Sequence, residues 1–254
     1  MDKRYQEIDI LKGVAVICMV IFHFFYFPNQ YGFKEINYNT NFLNTLAKIA
    51  QIIFIGSVGI NLTLSYDRSE KKNESKKDYY KKQFFRIFKI LGFALFMTIF
   101  SYILFKDKFI KFGILHFIAI TSLLLFPLIN KKLIIQIITI ISIIIYYLIK
   151  TNPTLFSNVP EKLAFVLGFY NNSYSSIDHF SIFPWIIITL LGINIGYIIK
   201  DNKPELPRFI KNNFISNSLE KTGKYSLEIY AIHWIVLYII FCQLYSKTMR
   251  NNFI

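Results

Sequence analysis

Seven apolar runs of membrane-crossing length, in a chain of 254 residues, leave very few folds open to it. They lie at Asp9 to Pro28, Phe42 to Leu64, Phe84 to Phe105, Phe112 to Ile129, Leu133 to Ile149, Ile182 to Ile199 and Leu227 to Tyr245. At 1.5 Å per residue, about 20 helical residues cross about 30 Å of hydrocarbon. Unpaired backbone polar groups are too costly in lipid, so only helices and closed barrels span it, and these runs lack the strict alternation of barrel strands. The predicted fold class is therefore an all-α polytopic membrane bundle of about seven helices forming one domain over residues 1–254. A hydrophobic content of 54% against 17% charged residues fits that reading, as does a mean hydropathy of +0.41.

The formal net charge of +14 invites a nucleic-acid reading, but the distribution of the basic residues argues against it. With the first run leaving from the cytoplasm, 20 of the 29 Lys and Arg fall on inner connections, so the positive-inside rule places the N-terminus inside and the C-terminus outside. No basic face interleaves with a recognition motif, and no nucleic-acid partner is expected. The first run exceeds the length of a signal-peptide core and no small-residue cleavage site follows, so it is expected to stay attached. Cys18 and Cys242 lie inside apolar runs without metal-ligand spacing and read as structural thiols; no metal site is predicted. The stretch Tyr66 to Gln83 is predicted as a lysine-rich cytoplasmic loop. Lys150 to Ser181, with Pro153, Pro160 and the patch KLAFVLGFY, is predicted as a long outer loop able to cover a site.

Ionisable side chains inside such runs are expensive and mark functional sites by default. His23 lies five residues before Pro28, roughly 7 Å below the outer boundary. His116 on the fourth run, and Asp178 and His179 before the sixth, are placed at a similar height. A neutral imidazole offers one nitrogen as a base, and a carboxylate such as Asp178 can orient the other. His23, His116 and Asp178 are thus the catalytic candidates. His233, in EIYAIHWIVLY, counts to a different height, nearer the cytoplasm, where it suits a donor-binding or interhelical role. Asp9 and Lys12 form an i,i+3 pair at the inner end of the first run, either as an anchor or with Lys12 facing donor phosphates. Ser57 and Asn61 on the second run accompany Gly56 and Gly59, and Asn194 on the sixth accompanies Gly192 and Gly196. These small-residue faces are either packing surfaces or a slot for a pantetheine-like arm.

RYQEIDILKGVAVICMVIFHFF resembles the first helix of the bacterial branch of the heparan-alpha-glucosaminide N-acetyltransferase catalytic-domain family. IFIGSVGINLTLSY, KFGILHFIAI, DHFSIFPWIIITLLGINIG and GKYSLEIYAIHWIVL follow in that family's order. The first helix is also similar to that of acyltransferase family 3, in which a catalytic histidine matches His23. Where the family usually has arginine this chain has Lys12, a point charge in place of a planar bidentate fork. FHFFYFPN carries no acidic residue after the histidine.

The resemblance implies a multi-pass enzyme of the bacterial cytoplasmic membrane. It would move an acetyl group from cytoplasmic acetyl-CoA to an amine or hydroxyl of a saccharide or glycolipid at the outer face, with a homo-oligomer allowed. His23 would act as base with His116 and Asp178 assisting, and Lys12, Asp9, Ser57, Asn61 and His233 would contact the donor. The alternative from a different class is a proton-coupled transporter or flippase-like carrier with the histidines as relay.

Overall fold

The computed structural model describes residues 5–30, 37–169, 176–202 and 213–245. Among them are nine α-helices and no strand. They are α1 (Gln6–Gln30), α2 (Asn41–Lys71), α3 (Lys76–Phe105), α4 (Ile114–Leu125), α5 (Lys132–Thr151), α6 (Glu161–Leu167), α7 (Ile182–Asn202), α8 (Phe214–Lys224) and α9 (Ser226–Leu244). Six of these, α1, α2, α3, α5, α7 and α9, are long and apolar enough to cross a membrane. The fourth run is helical but short: Gly113 starts α4, and Pro127, in the 3-10 turn Phe126–Leu128, ends it after 12 residues.

The helices turn large apolar side chains outward, as lipid allows, and keep their small hydroxyl side chains inside among the apolar core. On α5, Thr139 and Ser142 are buried while Ile137, Ile140, Ile141 and Ile144 face outward. Ser101, Thr121 and Thr189 are likewise buried, whereas Phe85, Phe88 and Ile103 are exposed.

The chain divides into two compact units. The first holds α1, the start of α2 up to Phe54, α8 and α9. Its core joins Ala15, Val16, Cys18 and Met19 of α1 to Ala50 of α2, with Ile229 and Tyr230 of α9 packed against them. α8, absent from the sequence expectation, lies along the first half of α1. A Cβ on Gly13 would fall on the Leu219 carbonyl, and one on Gly223 on the Asp9 carbonyl, so backbone meets backbone there. Gln6 Nε2 donates to Glu220 Oε2 at 2.7 Å across the same pair of helices. Residues 203–212, with Lys203, Arg208 and Lys211 of the predicted inner connection, lie outside the described residues, as do Lys3, Arg4 and the charged C-terminal tail.

The second unit holds the rest of α2 and α3 to α7. α2 and α7 cross on glycines: a Cβ on Gly59 would strike the Thr189 carbonyl and one on Gly192 the Gly56 carbonyl. The predicted slot for a pantetheine-like arm is closed here, because the two glycine faces are spent on each other. α4 is the interior helix of this unit, with eight buried residues, so it does not need the length of a lipid-facing span.

Tyr66 to Gln83 is not a loop. α2 continues to Lys71 and α3 begins at Lys76, leaving a short turn in which Ser75 caps α3 by accepting from the Asp78 N–H at 3.1 Å. The extra helical turns are held by the ion pair between Lys71 and Asp67 and by Lys200 of α7, 3.0 Å from Glu70 and 3.7 Å from Asp67. The segment Lys150 to Ser181 contains the turn Pro153–Phe156 and α6, which closes on Gly168 at φ +90°. Residues 170–175 of it lie outside the described residues. Its far end is fixed to the α3–α4 connection by Ile177 N–H to Lys108 O at 3.0 Å and Phe180 N–H to Phe112 O at 2.9 Å.

Candidate functional site

In the first unit, His23 meets His233. Nδ1 of His23 lies 2.9 Å from the Met19 carbonyl and Nδ1 of His233 lies 2.7 Å from the Tyr230 carbonyl. A carbonyl only accepts, so both Nδ1 atoms carry the proton in the neutral rings. Nε2 of His233 is then a lone-pair acceptor, and it sits 3.3 Å from Nδ1 of His23, sharing that proton with the Met19 carbonyl. The second nitrogen of His23, Nε2, is left with its lone pair and has no hydrogen-bond partner among the described residues.

The wall around it is aromatic. Phe22, Tyr26, Phe27 and Trp234 all approach the His23 ring, Trp234 at 5.8 Å between centroids. Phe27 packs edge-on against Trp234 at 4.7 Å. Trp234 is only 2% exposed, and its indole Nε1–H is buried without an acceptor. Buried N–H groups normally find one, because an unmet donor costs about 1–3 kcal/mol.

The height assigned to His233 from sequence is thereby corrected: it shares the level of His23. Counting residues from each helix start assumes that the helices begin level and stand parallel, and the contact between His23 of α1 and His233 of α9 shows that this pair does not meet that assumption. Trp234 went unread as a polar group because a tryptophan in an apolar run looks like packing.

At the first turn of α1, Lys12 Nζ and Asp9 Oδ1 are 2.6 Å apart, with both residues buried and Gly223 of α8 against the Asp9 backbone. α8, which the sequence did not predict, covers this pair.

In the second unit, His116 and Asp178 converge on the N-terminus of α4. Asp178 Oδ2 accepts from the Ile114 N–H at 3.2 Å, where the helix dipole favours a carboxylate. A Cβ on Gly113 would overlap that carboxylate. His116 Nδ1 accepts from the Gly113 N–H at 3.3 Å, and its Nε2 lies 3.3 Å from Thr98 Oγ1. The Thr98 proton goes to the Ile110 carbonyl at 2.9 Å, so His116 is the donor in the bond to Thr98. Both ring nitrogens of His116 are thus engaged in holding the helix start. His179 Nε2 donates to the Phe165 carbonyl at 2.8 Å and its ring stacks on Phe165 at 3.9 Å. Burial pushes the His179 pKa down, partly opposed by that bond.

Ser57 is buried on α2 and Asn61 is half-buried a turn later. Asn194 Nδ2 donates within α7 to the Leu190 carbonyl at 2.9 Å and to Thr139 Oγ1 of α5 at 3.2 Å. Cys18 and Cys242 are free thiols. Among the described residues no three His, Cys, Asp or Glu side chains are grouped as a metal site.

The family described as heparan-alpha-glucosaminide N-acetyltransferase, catalytic, matches residues 4–235. No curated protein and no solved structure matches the chain.

Proposed function

The chain belongs to the heparan-alpha-glucosaminide N-acetyltransferase catalytic family, a family of membrane acetyltransferases, and from that premise we propose that it transfers an acetyl group from cytoplasmic acetyl-CoA to a saccharide at the opposite face, with His23 as base. The observation that carries this reading is the state of His23: its Nδ1–H is engaged by Met19 and His233, which leaves the Nε2 lone pair for a substrate proton.

In the step proposed, His23 Nε2 takes the proton of an acceptor amine or hydroxyl. The freed lone pair attacks the thioester carbonyl carbon, the carbonyl becomes a tetrahedral oxyanion, and collapse breaks the C–S bond. The imidazolium returns its proton to the leaving CoA thiolate, so no net proton is gained or lost. His233 supports the imidazolium by accepting its Nδ1–H, the place a carboxylate takes in Ser-His-Asp sites. The unpaired indole N–H of Trp234 is suited to the oxyanion, since a donor aimed where charge develops contributes most in a dry site. His116 and Asp178 hold the start of α4 in this scheme. Asp9 and Lys12 act through the α1–α8 pair, with Lys12 as the cation offered to the donor phosphates.

The test is thiol release from acetyl-CoA by the purified protein with a panel of amino sugars and glycans. Release that requires an acceptor and disappears in a folded His23→Ala variant supports the proposal. Solute movement in vesicles without thioester consumption would replace it with the carrier reading.

A further inference from the structure

A cavity of about 530 Å³ lies in the second unit where the ends of α2 and α3 meet the α4–α5 connection. Its volume is within the usual range of small-ligand sites. None of its lining residues belongs to the histidine site described above.

Tyr79 lines the cavity and is 3% exposed, yet its hydroxyl has no hydrogen-bond partner. A buried hydroxyl in that state is left to bond whatever enters the cavity. Aromatic rings surround it: Tyr66 lies 5.4 Å from Tyr79, and Tyr80 lies 5.1 Å from Phe126, all four of them lining residues. Glu70 and Glu74 supply two carboxylates, each with a lysine on one oxygen, Lys200 at 3.0 Å from Glu70 Oε2 and Lys82 at 3.3 Å from Glu74 Oε1, which leaves lone pairs on each carboxylate for a ligand; Lys76 supplies one ammonium. A cation against aromatic faces with carboxylates beside it is a favourable pairing.

Two further features narrow the ligand. Phe126 continues by ring contact to Phe84 at 5.3 Å and on to Phe88 at 6.5 Å, both on the exposed face of α3, so an apolar track leads away from the cavity. Lys76 and Lys77 open α3 beside it, at a helix end whose dipole favours phosphate. The site therefore offers places for an ammonium, one phosphate and an acyl chain. A nucleotide with several phosphates would bring them against Glu70 and Glu74. A trimethylammonium has no N–H for the carboxylates and the Tyr79 oxygen to accept, whereas a primary ammonium has three.

We infer that this cavity is a headgroup site for a primary-amine phospholipid of the phosphoethanolamine class. The ammonium sits among Tyr79, Glu70 and Glu74, the phosphate is at the start of α3, and a chain runs along Phe84 and Phe88.

The test is lipid retention by the full-length protein. The protein is delipidated in detergent, offered dioleoyl phosphatidylethanolamine, phosphatidylcholine or phosphatidylglycerol, and read by native mass spectrometry and thermal unfolding. Phosphatidylethanolamine is expected to bind as a single saturable adduct, at least about fivefold tighter than phosphatidylcholine, the ratio set by a lost hydrogen bond. Tyr79→Phe and Glu74→Gln are each expected to lower that retention by about fivefold while leaving phosphatidylglycerol adducts unchanged. Equal retention of the three lipids by the wild type overturns the inference. So does unchanged phosphatidylethanolamine retention in the folded double variant, or its displacement by acetyl-CoA, which would give the cavity to the donor.

Discussion

A histidine with one nitrogen committed and the other open is chemically different from two histidines bridging helices, and substitutions at two side chains of this cluster, His23 and Trp234, separate the roles. His23→Ala removes the base and is expected to lower turnover by about 10²–10⁴-fold in a protein that still folds, checked by thiol release against circular dichroism. Trp234→Phe keeps the ring against Phe27 and removes only the buried, unpartnered N–H. If that N–H meets the oxyanion, turnover should fall by about 10²-fold with the donor KM little changed. Thermal stability should not fall, because the deleted donor satisfies nothing in the free protein. A Phe variant with wild-type turnover would remove Trp234 from the mechanism and leave His23 in place. His23 was legible from sequence because an ionisable group in an apolar run is conspicuous. Its partner was not, since Asp178 has the better chemistry on paper, while the neutral His233 is the group that packing brings to 3.3 Å.

Elements were legible where length and hydropathy decide them and illegible where packing does. The six long spans follow from their apolar runs. α8 does not, because FISNSLEKTGK is polar and short and becomes a helix through its cap at Asn213 and its contact with α1. The lysine-rich stretch after α2 reads as a loop by composition, yet ion pairs to Asp67 and Glu70 carry the helix on to Lys71. Two glycines give a paired test of these crossings. Gly13→Ala drives a methyl into the Leu219 backbone, which cannot rotate away, and is expected to cost about 1–3 kcal/mol. Gly92→Ala, on α3 with nothing within 4 Å, is expected to be neutral or to stabilise by about 0.5–1 kcal/mol. Thermal unfolding in one detergent measures both, and equal shifts would contradict backbone contact between α1 and α8.

Across the second unit, side-chain contacts sort the helix ends into two groups, and this sorting bears on how the chain threads the membrane. At one end, Lys200 of α7 meets Glu70 of α2, Tyr80 of α3 meets Phe126 after α4, and the Tyr197 hydroxyl of α7 donates to the Ile129 carbonyl before α5. At the other end, Thr98 of α3 bonds the Ile110 carbonyl ahead of α4, and Asp178 ahead of α7 bonds the first N–H of α4. α4 therefore runs from one end to the other, although its 12 residues and following 3-10 turn span only about 24 Å. Enclosure by protein removes the need for a full lipid-facing length. The first of these ends gathers Lys71, Lys76, Lys77, Lys81, Lys131, Lys132 and Lys200, the arrangement the positive-inside rule assigns to the cytoplasm. Single cysteines at Ser75 and Lys131, on a background with Cys242→Ser, are then expected to react with a membrane-impermeant maleimide only after the membrane is opened. Cysteines at Asp107 and Thr154 should react in intact cells. Labelling of positions 75 and 131 from opposite sides would mean that α4 does not cross. The six-span threading that follows would put Lys131 and Lys132 outside and undo the charge argument from which the sidedness of the proposed transfer is drawn.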